Sequence, residues 1–527
     1  MSTAQDGLIY AIGWAHVLLA PYTKVEESFN LHATHDVLMY GVQSPNLHNY
    51  DHFTFPGAVP RTFIGSVLLA WLSTSIIQLA NWRRVLTGKA NMQIIIRLVL
   101  AGANATALCF LRRAVSRRFG RLTGLFFTLF TCSQFHVPFW MGRTLPNMFA
   151  LIPVNFATSL LVDRAPNATR PSKHSVEMAI ALLTFTTVIF RAEVLLLLGP
   201  LVLQCLISRN ITILNVIKIG ALSGIASIVL TISVDSYFWN TFPIWPEFSG
   251  LYFNVYEGKS SEWGVSPPLA YFVTHLPKLC LSSLPLALVG ITIDQRIRSL
   301  IFPSLLFLGL ISCLGHKEWR FIVYIVPIFN VAAARAARWM VSRRKNSLFG
   351  RFLFLIVAGL LACNVLVTCL LTYASIHNYP GGEALALFHR LYPSTQTQPP
   401  LHVHISNLAA QTGASLFLQV NSSPHPPPSL FVSRPQMSEW KYDKTESLTL
   451  RNLTATHSIT HLISETKPGT RMGADWKTVG SIDGFERWAI DWELIKARGK
   501  GASLDRLRNV LTMVTEKKLW ILERRRL

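Results

Sequence analysis

The sequence predicts an all-α, polytopic membrane protein that carries a small soluble C-terminal domain of mixed α/β structure. Half of the 527 residues are hydrophobic and only 14% are charged, whereas a soluble protein normally carries about 25% charged residues. Stretches such as 61–80, 211–234, 269–292, 321–340 and 351–374 are long enough to cross a hydrocarbon core of about 30 Å as helices. Together with the other apolar stretches they lead us to expect about ten to twelve transmembrane helices.

The first apolar stretch of the chain, residues 7–20, lacks the flanking features of a secretory signal. It has neither the basic segment nor the small-residue cleavage site of a signal peptide. We therefore interpret it as an uncleaved first transmembrane helix.

The net charge of +22 is concentrated in short connections between apolar stretches, at 83–89, 112–121 and 338–351. Basic loops beside membrane spans are typical of the cytoplasmic side of a membrane protein, so this charge reports topology and does not indicate nucleic-acid binding. The first two loops bracket one apparent span, 93–111, and one crossing cannot leave both ends in the cytosol. Either a span is misassigned or one basic loop faces the lumen.

The seven cysteines lie in or beside apolar segments and form no CxxC pair. The sequence also lacks an HExxH pattern. These absences predict neither a disulfide framework nor a metal site, and we expect the protein to work without a cofactor or a metal ion.

The character of the chain changes near residue 375, which divides a transmembrane domain, 1–375, from a soluble domain, 376–527. The tail contains proline-rich segments, and it has short runs of alternating apolar and polar residues at 401–406 and 415–420. If the tail is lumenal, the glycosylation sequons at Asn421 and Asn452 are accessible there.

A loop of about forty residues, 21–60, follows the first apolar stretch and is rich in ionisable groups. The acidic and imidazole groups that we consider functional are Glu26, Glu27, His35, Asp36 and Asp51. An amphipathic helix lying in the membrane interface is the simpler interpretation, since apolar residues recur at helical spacing. It does not explain two adjacent carboxylates beside histidines and a further aspartate. We therefore predict a carboxylate-lined site at the membrane surface.

Charged residues also interrupt the apolar body at Arg143, in the stretch RTLPN, and at Arg191, in the stretch FRAE. Ionisable residues are costly in a bilayer and usually face a partner or a polar cavity. Arg191 has an equally good local explanation, which is a charge paired with Glu193 at the end of a span. For Arg143, which precedes a proline, we favour a functional role.

Residues 315–321, GHKEWRF, place four ionisable side chains inside an otherwise apolar run. If the segment is helical from residue 316, His316 and Arg320 share one face and Lys317 lies three residues from Arg320. A snorkelling span end would need no histidine or glutamate. We predict instead that these cations bind a phosphate at the membrane interface, with Glu318 pointing away or holding one of them.

An acidic loop and a basic cluster on a polytopic body suit the transfer of a sugar that is carried on a lipid phosphate. The phosphate is already a good leaving group, so the site needs positive charge where the phosphate charge develops. It also needs one carboxylate to take the proton of the attacking hydroxyl.

At several of these stretches the sequence resembles the dolichyl-phosphate-mannose-dependent mannosyltransferases of the endoplasmic reticulum. The resemblance extends over about residues 8–395 and rests on PYTKVEESFN, ATHD, YDHFTFPGAVPRTF, RTLPN, FRAE and the intact HKExRF motif. It is strongest with members that add the eighth mannose, through an α-1,6 bond, to the lipid-linked precursor of N-glycans.

The resemblance implies a GT-C glycosyltransferase architecture, a lumenal active site beneath the first loop, and inversion at the sugar carbon. The expected substrates are dolichyl phosphate mannose and a dolichyl-diphosphate-linked oligosaccharide within membrane lipid. Relatives in the wider family have Asp-Glu where this chain has Glu26-Glu27, so Glu26 is the preferred base, with Glu27, Asp51 and Asp36 as reserves.

Three alternatives remain open at this stage. A related mannosyltransferase could act on another lipid-linked acceptor or on a GPI-anchor glycan. A lipid or sugar transporter would show paired helix breaks in two corresponding halves, and we find no such repeat in the sequence. A scaffolding subunit of an oligosaccharide-assembling complex would need no base.

Overall fold

The structure, a computed structural model, describes residues 2–86, 88–345, 347–393, 400–427, 430, 439–446, 448–467, 469, 475–492 and 510–525. The chain divides into two compact units. The first comprises the residues up to Leu18, Phe29–Thr74 and Ile95–Cys369; the second comprises Leu19–Ser28, Ser75–Ile94 and the chain from Leu370 onward. The second unit thus takes in two short segments from the region 1–375.

Helices dominate the described part of the chain. The α-helices are α1 Ser2–Leu19, α2 Val25–Tyr40, α3 Asp51–Thr54, α4 Ile64–Trp82, α5 Lys89–Phe119, α6 Arg121–Ser133, α7 His136–Trp140, α8 Pro146–Val162, α9 Lys173–Ile189, α10 Leu195–Ile207, α11 Ile213–Trp239, α12 Pro246–Leu251, α13 Leu276–Cys280, α14 Ser283–Ile293, α15 Gln295–Ile311, α16 Val326–Ser342, α17 Leu348–Ile376, α18 Pro380–Leu391, α19 Asn407–Gln411 and α20 Leu450–Ala455. Short 3₁₀ segments include Ser44–Asn49, Ala192–Val194, Lys259–Trp263, Trp319–Ile325 and Leu416–Leu418, and π-helical turns lie at Tyr252–Tyr256 and Tyr271–His275.

Five helical segments in the described residues are long and apolar enough to cross a membrane: Ile64–Trp82, Lys89–Phe119, Ile213–Trp239, Trp319–Ser342 and Leu348–Ile376. A sixth candidate is the pair Tyr271–Cys280 and Ser283–Ile293, which is bent by 102°. The other apolar helices, such as α8 and α10, are shorter than the approximately 20 residues that a span requires. The total of ten to twelve spans therefore stays a prediction.

The helix α5 bears on the two basic loops that bracket one apparent span. It runs without a break from Lys89 to Phe119. The segment between the two basic loops is therefore one helix and not two. At its C-terminal end, Arg112 pairs through Nε with Asp6 Oδ1 at 2.8 Å.

The helix α16 is largely buried within the first unit. Most of its side chains are buried, including the alanine run from Ala332 to Ala337 apart from Arg335. Small side chains allow neighbouring helices to approach closely. At Gly290 of α14, a Cβ atom would lie 2.3 Å from the carbonyl oxygen of Ala332, so only glycine fits this contact between α14 and α16.

The second unit contains a five-stranded mixed sheet in the order β2-β1-β3-β5-β4. Its strands are β1 His402–Ile405, β2 Lys441–Asp443, β3 His461–Ser464, β4 Trp476–Ile490 and β5 Leu511–Arg524. β1 is parallel to β2 and β3, whereas β5 is antiparallel to β3 and β4. The helix α18 covers the sheet and buries Leu385 and Phe388 against Val403, Ile405 and Ile521.

The two runs of alternating residues in the tail adopt different structures. The run at 401–406 contains strand β1. The run at 415–420 is not a strand: it forms the 3₁₀ turn Leu416–Leu418, which buries Phe417 and Leu418. A period-two pattern over so few residues does not distinguish a strand from a buried turn.

Candidate active site

The acidic loop begins with the helix α2, whose first turn is stabilised by Glu27. The Oε1 atom of Glu27 accepts a hydrogen bond from the backbone N–H of Lys24 at 3.0 Å, and the N–H of Glu27 bonds to the Lys24 carbonyl. This is the glutamate half of a capping box, which satisfies a donor that the helix leaves unpaired. Glu27 is completely buried, whereas Glu26 is exposed. Of the adjacent carboxylates, Glu26 is the accessible one.

The rest of α2 is packed inside the protein. Nearly every side chain from Leu31 to Met39 is buried. A helix that lies in the membrane interface keeps one polar face in water. The simpler interpretation of this segment, an interfacial amphipathic helix, is therefore wrong.

Two aspartates of the loop lie next to each other, and histidines accompany them. Asp36 accepts hydrogen bonds from the backbone N–H of Asp51 at 2.8 Å and contacts His35 Nδ1 at 2.8 Å. Asp51 contacts His32 Nδ1 at 2.8 Å and keeps part of its side chain exposed. His35 and Asp36 are 1% exposed. In this arrangement Asp36 holds the backbone of Asp51, and Asp51 is the more exposed of the two aspartates.

The backbone at GHKEWRF differs from the helix that we expected. Glu318 is extended, with φ −127° and ψ 148°, and the 3₁₀ segment begins at Trp319. His316 and Arg320 consequently do not share a helix face, so that prediction is wrong. A proline in the first turn of α16, Pro327, fixes where the regular helix begins. The residues from Gly315 to Glu318 are not helical.

The side chain of Glu318 nevertheless brings His316 and Arg320 together. His316 Nε2 lies 2.9 Å from Glu318 Oε1, and Arg320 Nη2 donates to the same oxygen at 2.8 Å. Arg320 Nε pairs with the other carboxylate oxygen. Lys317 is buried and donates to the carbonyl of Leu314 at 2.6 Å. One carboxylate thus gathers two of the predicted cations, and Lys317 is directed to backbone oxygens.

Arg191 and Glu193 form the local ion pair that we considered for this stretch. Arg191 Nε donates to Glu193 Oε1 at 2.8 Å. The same oxygen accepts from Asn147 Nδ2 at 2.9 Å and from the Tyr324 hydroxyl at 3.1 Å. Asn147 enters this network because Pro146 starts the helix α8 in RTLPN. The network joins the stretches FRAE and RTLPN to the segment that follows GHKEWRF.

Arg143 is placed differently from the other predicted cations. It is completely buried, and its guanidinium lies over the rings of Phe139 and Trp140 at 4.2 and 5.2 Å from their centroids. The Trp140 ring is in turn 4.5 Å from the Trp319 ring of GHKEWRF. A side chain with no exposed surface does not touch a substrate in this conformation. Arg143 is a support for the aromatic residues beside the motif.

Two guanidinium groups lie near the phenylalanine of the HKExRF motif. The Cζ atoms of Arg191 and Arg320 lie 5.4 and 5.9 Å from the centroid of Phe321. Cations at such distances from a ring face are attracted by its quadrupole. The structure therefore places Arg191 and Arg320 beside the same ring.

Sequence reasoning missed two residues of this region, Arg61 and Glu247. Burial, and then the neighbouring Arg191 and Arg320, lower the pKa of Arg61 to about 10. Burial raises the pKa of Glu247 to about 7, against the opposing effect of Arg191. For Arg191 itself, burial lowers the pKa, but the charges of Glu193 and Glu247 outweigh it and the net shift is upward. Arg61 lies in the stretch YDHFTFPGAVPRTF, which contributes to the family resemblance. No feature of the sequence around Glu247 indicated a functional role.

Glu247 also anchors the loop of Arg191. Its Oε2 atom accepts a hydrogen bond from the backbone N–H of Ala192 at 2.7 Å. Ala192 opens the 3₁₀ segment that leads into α10, and a carboxylate is favourable at such an N-terminus. Glu247 thereby fixes the backbone from which the Arg191 side chain extends.

A small, open pocket lies beside these groups. Its polar lining includes Asn30, Arg61 and Glu247, and its apolar lining includes Gly65, Phe149 and Phe190. Asn30 is held by a hydrogen bond from its Nδ2 to the Thr144 carbonyl at 2.8 Å. The lining thus combines preset polar groups with aromatic surface.

This arrangement can bind and neutralise an anion. Arg61, Arg191 and Arg320 supply delocalised positive charge, and guanidinium groups match the geometry of phosphate oxygens. In the unliganded protein Glu193 pairs with Arg191, and Glu318 pairs with Arg320. Among the described residues, no group of three His, Cys, Asp or Glu side chains is arranged to hold a metal ion. Activity without metal stays a prediction.

The sequence and the fold both have counterparts among known proteins. Residues 7–419 match the model of the Alg9-like mannosyltransferase family. The chain is 39% identical to the Dol-P-Man:Man(7)GlcNAc(2)-PP-Dol alpha-1,6-mannosyltransferase of Drosophila melanogaster, over 93% of this chain and 68% of that protein. It is 34% identical to the enzyme of the same name from Arabidopsis thaliana, over 92% of this chain and 90% of that protein.

Matches to other proteins are more limited in extent or in identity. GPI mannosyltransferase 3 of Yarrowia lipolytica is 34% identical over 22% of the chain. The crystal structure of ArnT from Cupriavidus metallidurans bound to undecaprenyl phosphate is similar in fold, with a TM-score of 0.52, 11% identity, and coverage of 91% of this chain and 96% of ArnT. This similarity extends over nearly the whole length of each protein.

Proposed function

The chain belongs to the Alg9-like mannosyltransferase family, and from this we propose that it is a dolichyl-phosphate-mannose-dependent α-1,6-mannosyltransferase. It transfers mannose to the dolichyl-diphosphate-linked oligosaccharide that bears seven mannoses. It works as a GT-C enzyme of about ten to twelve spans in the endoplasmic reticulum membrane, with the active site facing the lumen. The soluble residues 376–527 lie on the same side.

The main support for this proposal is that the relatives matching most of the chain are named for the same reaction. The relatives from Drosophila melanogaster and Arabidopsis thaliana bear the same name and align with more than nine-tenths of this chain. The GPI mannosyltransferase match spans 22% of it, which disfavours a GPI-anchor acceptor. A mannosyltransferase family also disfavours the transporter and scaffold alternatives.

The geometry of the first unit supports binding of the donor phosphate by Arg61, Arg191 and Arg320, with His316 and Lys317 close in the chain. During transfer, the bond between the mannosyl anomeric carbon and the phosphate oxygen breaks, and dolichyl phosphate leaves with the electron pair. Its charge grows as the bond breaks, so fixed cations stabilise the transition state more than the ground state.

The new bond forms between the anomeric carbon and the 6-hydroxyl oxygen of the acceptor mannose, with inversion. The hydroxyl proton passes to a carboxylate that acts as general base. We propose Glu26 for this role because it is exposed. Glu27 is occupied in the helix cap, and Asp36 holds the backbone of Asp51. Asp51 is the reserve.

The proposed reaction needs no cofactor, and we propose that it needs no metal ion. A metal ion in a glycosyl transfer would neutralise the phosphate leaving group. Three guanidinium groups can supply that charge from the protein.

The test is mannose transfer by the purified chain from synthetic dolichyl phosphate mannose to defined lipid-linked acceptors. We expect product only with the acceptor that bears seven mannoses, and cleavage by a linkage-specific α-1,6-mannosidase should remove the added sugar. Transfer to a GPI-type acceptor, another linkage, or no transfer would contradict the proposal.

A further inference from the structure

Arg61 differs from the other two arginines of the site in what holds its side chain. Glu193 pairs with Arg191, and Glu318 pairs with Arg320. Within the part of the chain that the structure describes, the Arg61 guanidinium forms neither a hydrogen bond nor an ion pair, and only the Arg61 carbonyl is bonded to another side chain. The position of this guanidinium therefore depends on the backbone from which it extends.

The C-terminal end of α11 holds that backbone. Trp239, the last residue of the helix, donates from its indole Nε1 to the Arg61 carbonyl at 3.0 Å. The Oδ1 atom of Asp235 accepts the backbone N–H of Phe63 at 2.7 Å and the hydroxyl of Thr62 at 3.2 Å. Three consecutive residues of the loop are thus bonded to two side chains of α11.

These side chains come from one face of α11. Thr231, Asp235 and Trp239 are spaced four residues apart, and residues at that spacing share a helix face. The hydroxyl of Thr231 donates to the second carboxylate oxygen of Asp235 at 2.6 Å. Asp235 has no exposed surface, and a buried carboxylate is costly unless hydrogen bonds satisfy it. Two of the three hydrogen bonds that satisfy Asp235 come from the segment next to Arg61.

Phe238 attaches the loop to the same end of α11 at a further point. Its ring stacks on that of Phe63, at 9° and with the centroids 4.6 Å apart. Its carbonyl oxygen accepts a hydrogen bond from His52 Nε2 at 3.0 Å. Because His52 precedes Arg61 in the chain and Phe63 follows it, the loop is attached to α11 on both sides of Arg61.

We propose that Asp235 and Trp239 are positioning residues, which hold the backbone of Arg61 so that its guanidinium stays beside Arg191 and Arg320 and can bind the same lipid phosphate. The inference rests on the proposed function for the identity of that phosphate. The Arg61 side chain interacts electrostatically with both of the other arginines, and like charges repel. Without its anchors on α11, Arg61 would move away from them.

The experiment measures the equilibrium dissociation constant of the purified full chain for dolichyl phosphate, which is the leaving group of the proposed reaction. Arg61→Ala should raise this constant by about 10-fold or more. Trp239→Phe keeps an aromatic ring and removes the N–H donor, so it should raise the constant by about 2- to 10-fold, and Asp235→Ala should raise it further. Asp235→Asn keeps an acceptor oxygen for the Phe63 N–H and should remain within about 2-fold of wild type.

A double-mutant cycle distinguishes the positioning of Arg61 from general support of the fold. If Asp235 and Trp239 act through Arg61, adding Asp235→Ala or Trp239→Phe to Arg61→Ala should change the dissociation constant by less than about 2-fold, which is the usual error of such cycles. If the two residues only stabilise the protein, each substitution should weaken binding by the same factor with and without Arg61.

Ser227→Ala is the matched control. Ser227 lies on the same face of α11, two turns before Asp235, and is also buried, but its hydroxyl donates to the carbonyl of Ser223 in its own helix at 2.7 Å. This variant should bind dolichyl phosphate as wild type does. Thermal melting shows whether each variant is folded, and if Asp235→Ala is not, the cycle with Trp239→Phe decides.

Several results would overturn the inference. They are a wild-type dissociation constant in folded Trp239→Phe and Asp235→Ala, a wild-type constant in Arg61→Ala, equal losses with and without Arg61, and no measurable binding of dolichyl phosphate by the wild-type chain. Failure of the proposed function looks different: the wild-type chain would then transfer no mannose to the seven-mannose acceptor, although the binding cycle still shows coupling to Arg61.

Discussion

Replacement of Arg320 by lysine tests whether the HKExRF segment binds the donor phosphate or only anchors a span. Arg320 contacts both oxygens of Glu318, with Nη2 to Oε1 at 2.8 Å. Its planar fork can grip two phosphate oxygens in the same manner, whereas lysine offers a point charge. A snorkelling anchor would tolerate lysine equally well, because lysine also extends a charge from an apolar stem.

The size of the effect follows from the contacts at stake. A hydrogen bond to a charged group contributes about 1.5–3 kcal/mol, which corresponds to about 10- to 150-fold in rate if the contact acts mainly in the transition state. Arg320→Lys removes one prong of the fork and retains the charge. We therefore expect kcat/KM to fall by about 10-fold or more, and Arg320→Ala to lower it further.

The assay is initial-rate mannose transfer by the purified enzyme, with the donor varied at saturating acceptor. Arg298→Lys, at an exposed position of α15, is the matched control and should behave as wild type. Thermal melting must show that Arg320→Lys is folded. Wild-type turnover together with wild-type donor affinity in that variant would refute the phosphate-binding interpretation.

Three further predictions concern the base, metal ions and pH. Glu26→Gln should lower kcat by about 10²–10⁴-fold with donor binding retained, while Glu27→Ala should lower the melting temperature by removal of the helix cap; full activity of Glu26→Gln would contradict the assignment. Mannose transfer should continue in excess EDTA, and its loss with recovery on adding Mn²⁺ would contradict metal independence. The pKa of Glu247 is raised from 4.5 to about 7 in the folded protein, so its protonated form stabilises the fold below pH 4.5 and this contribution is lost as pH rises through 7. The melting temperature of wild type relative to Glu247→Gln should therefore fall between pH 5 and pH 8, and a constant difference would show that Glu247 does not titrate there.

The sequence predicted the long spans well because a span leaves a strong local signal. The stretches 61–80, 211–234 and 351–374 correspond to helices Ile64–Trp82, Ile213–Trp239 and Leu348–Ile376. The stretch 269–292 is instead a bent pair of helices. Its bend includes Leu281 with φ +48°, and a leucine gives no warning of a left-handed backbone.

The roles of individual residues were harder to predict, because a local sequence pattern does not show which side chains are buried. Asp36 and Asp51 are equally acidic in the sequence, but packing of α2 buries the first and leaves the second partly exposed. Arg143 interrupts an apolar stretch of the sequence, and only the structure shows that its guanidinium is buried over the rings of Phe139 and Trp140. Glu247 is far along the chain from Arg61 and Arg191, so only the folded structure shows that their charges interact.

The carboxylates around the cations explain how an apolar protein can hold this site before the donor arrives. Unpaired charges away from water are costly, whereas paired and hydrogen-bonded charges are tolerated. Glu193 pairs with Arg191, and Glu318 pairs with Arg320. A phosphate that binds must therefore compete with carboxylates already in place, which limits how tightly a lipid phosphate is held. In the proposed reaction, this competition would favour the release of dolichyl phosphate after transfer, and the arginines would stabilise mainly the extra charge that develops in the transition state.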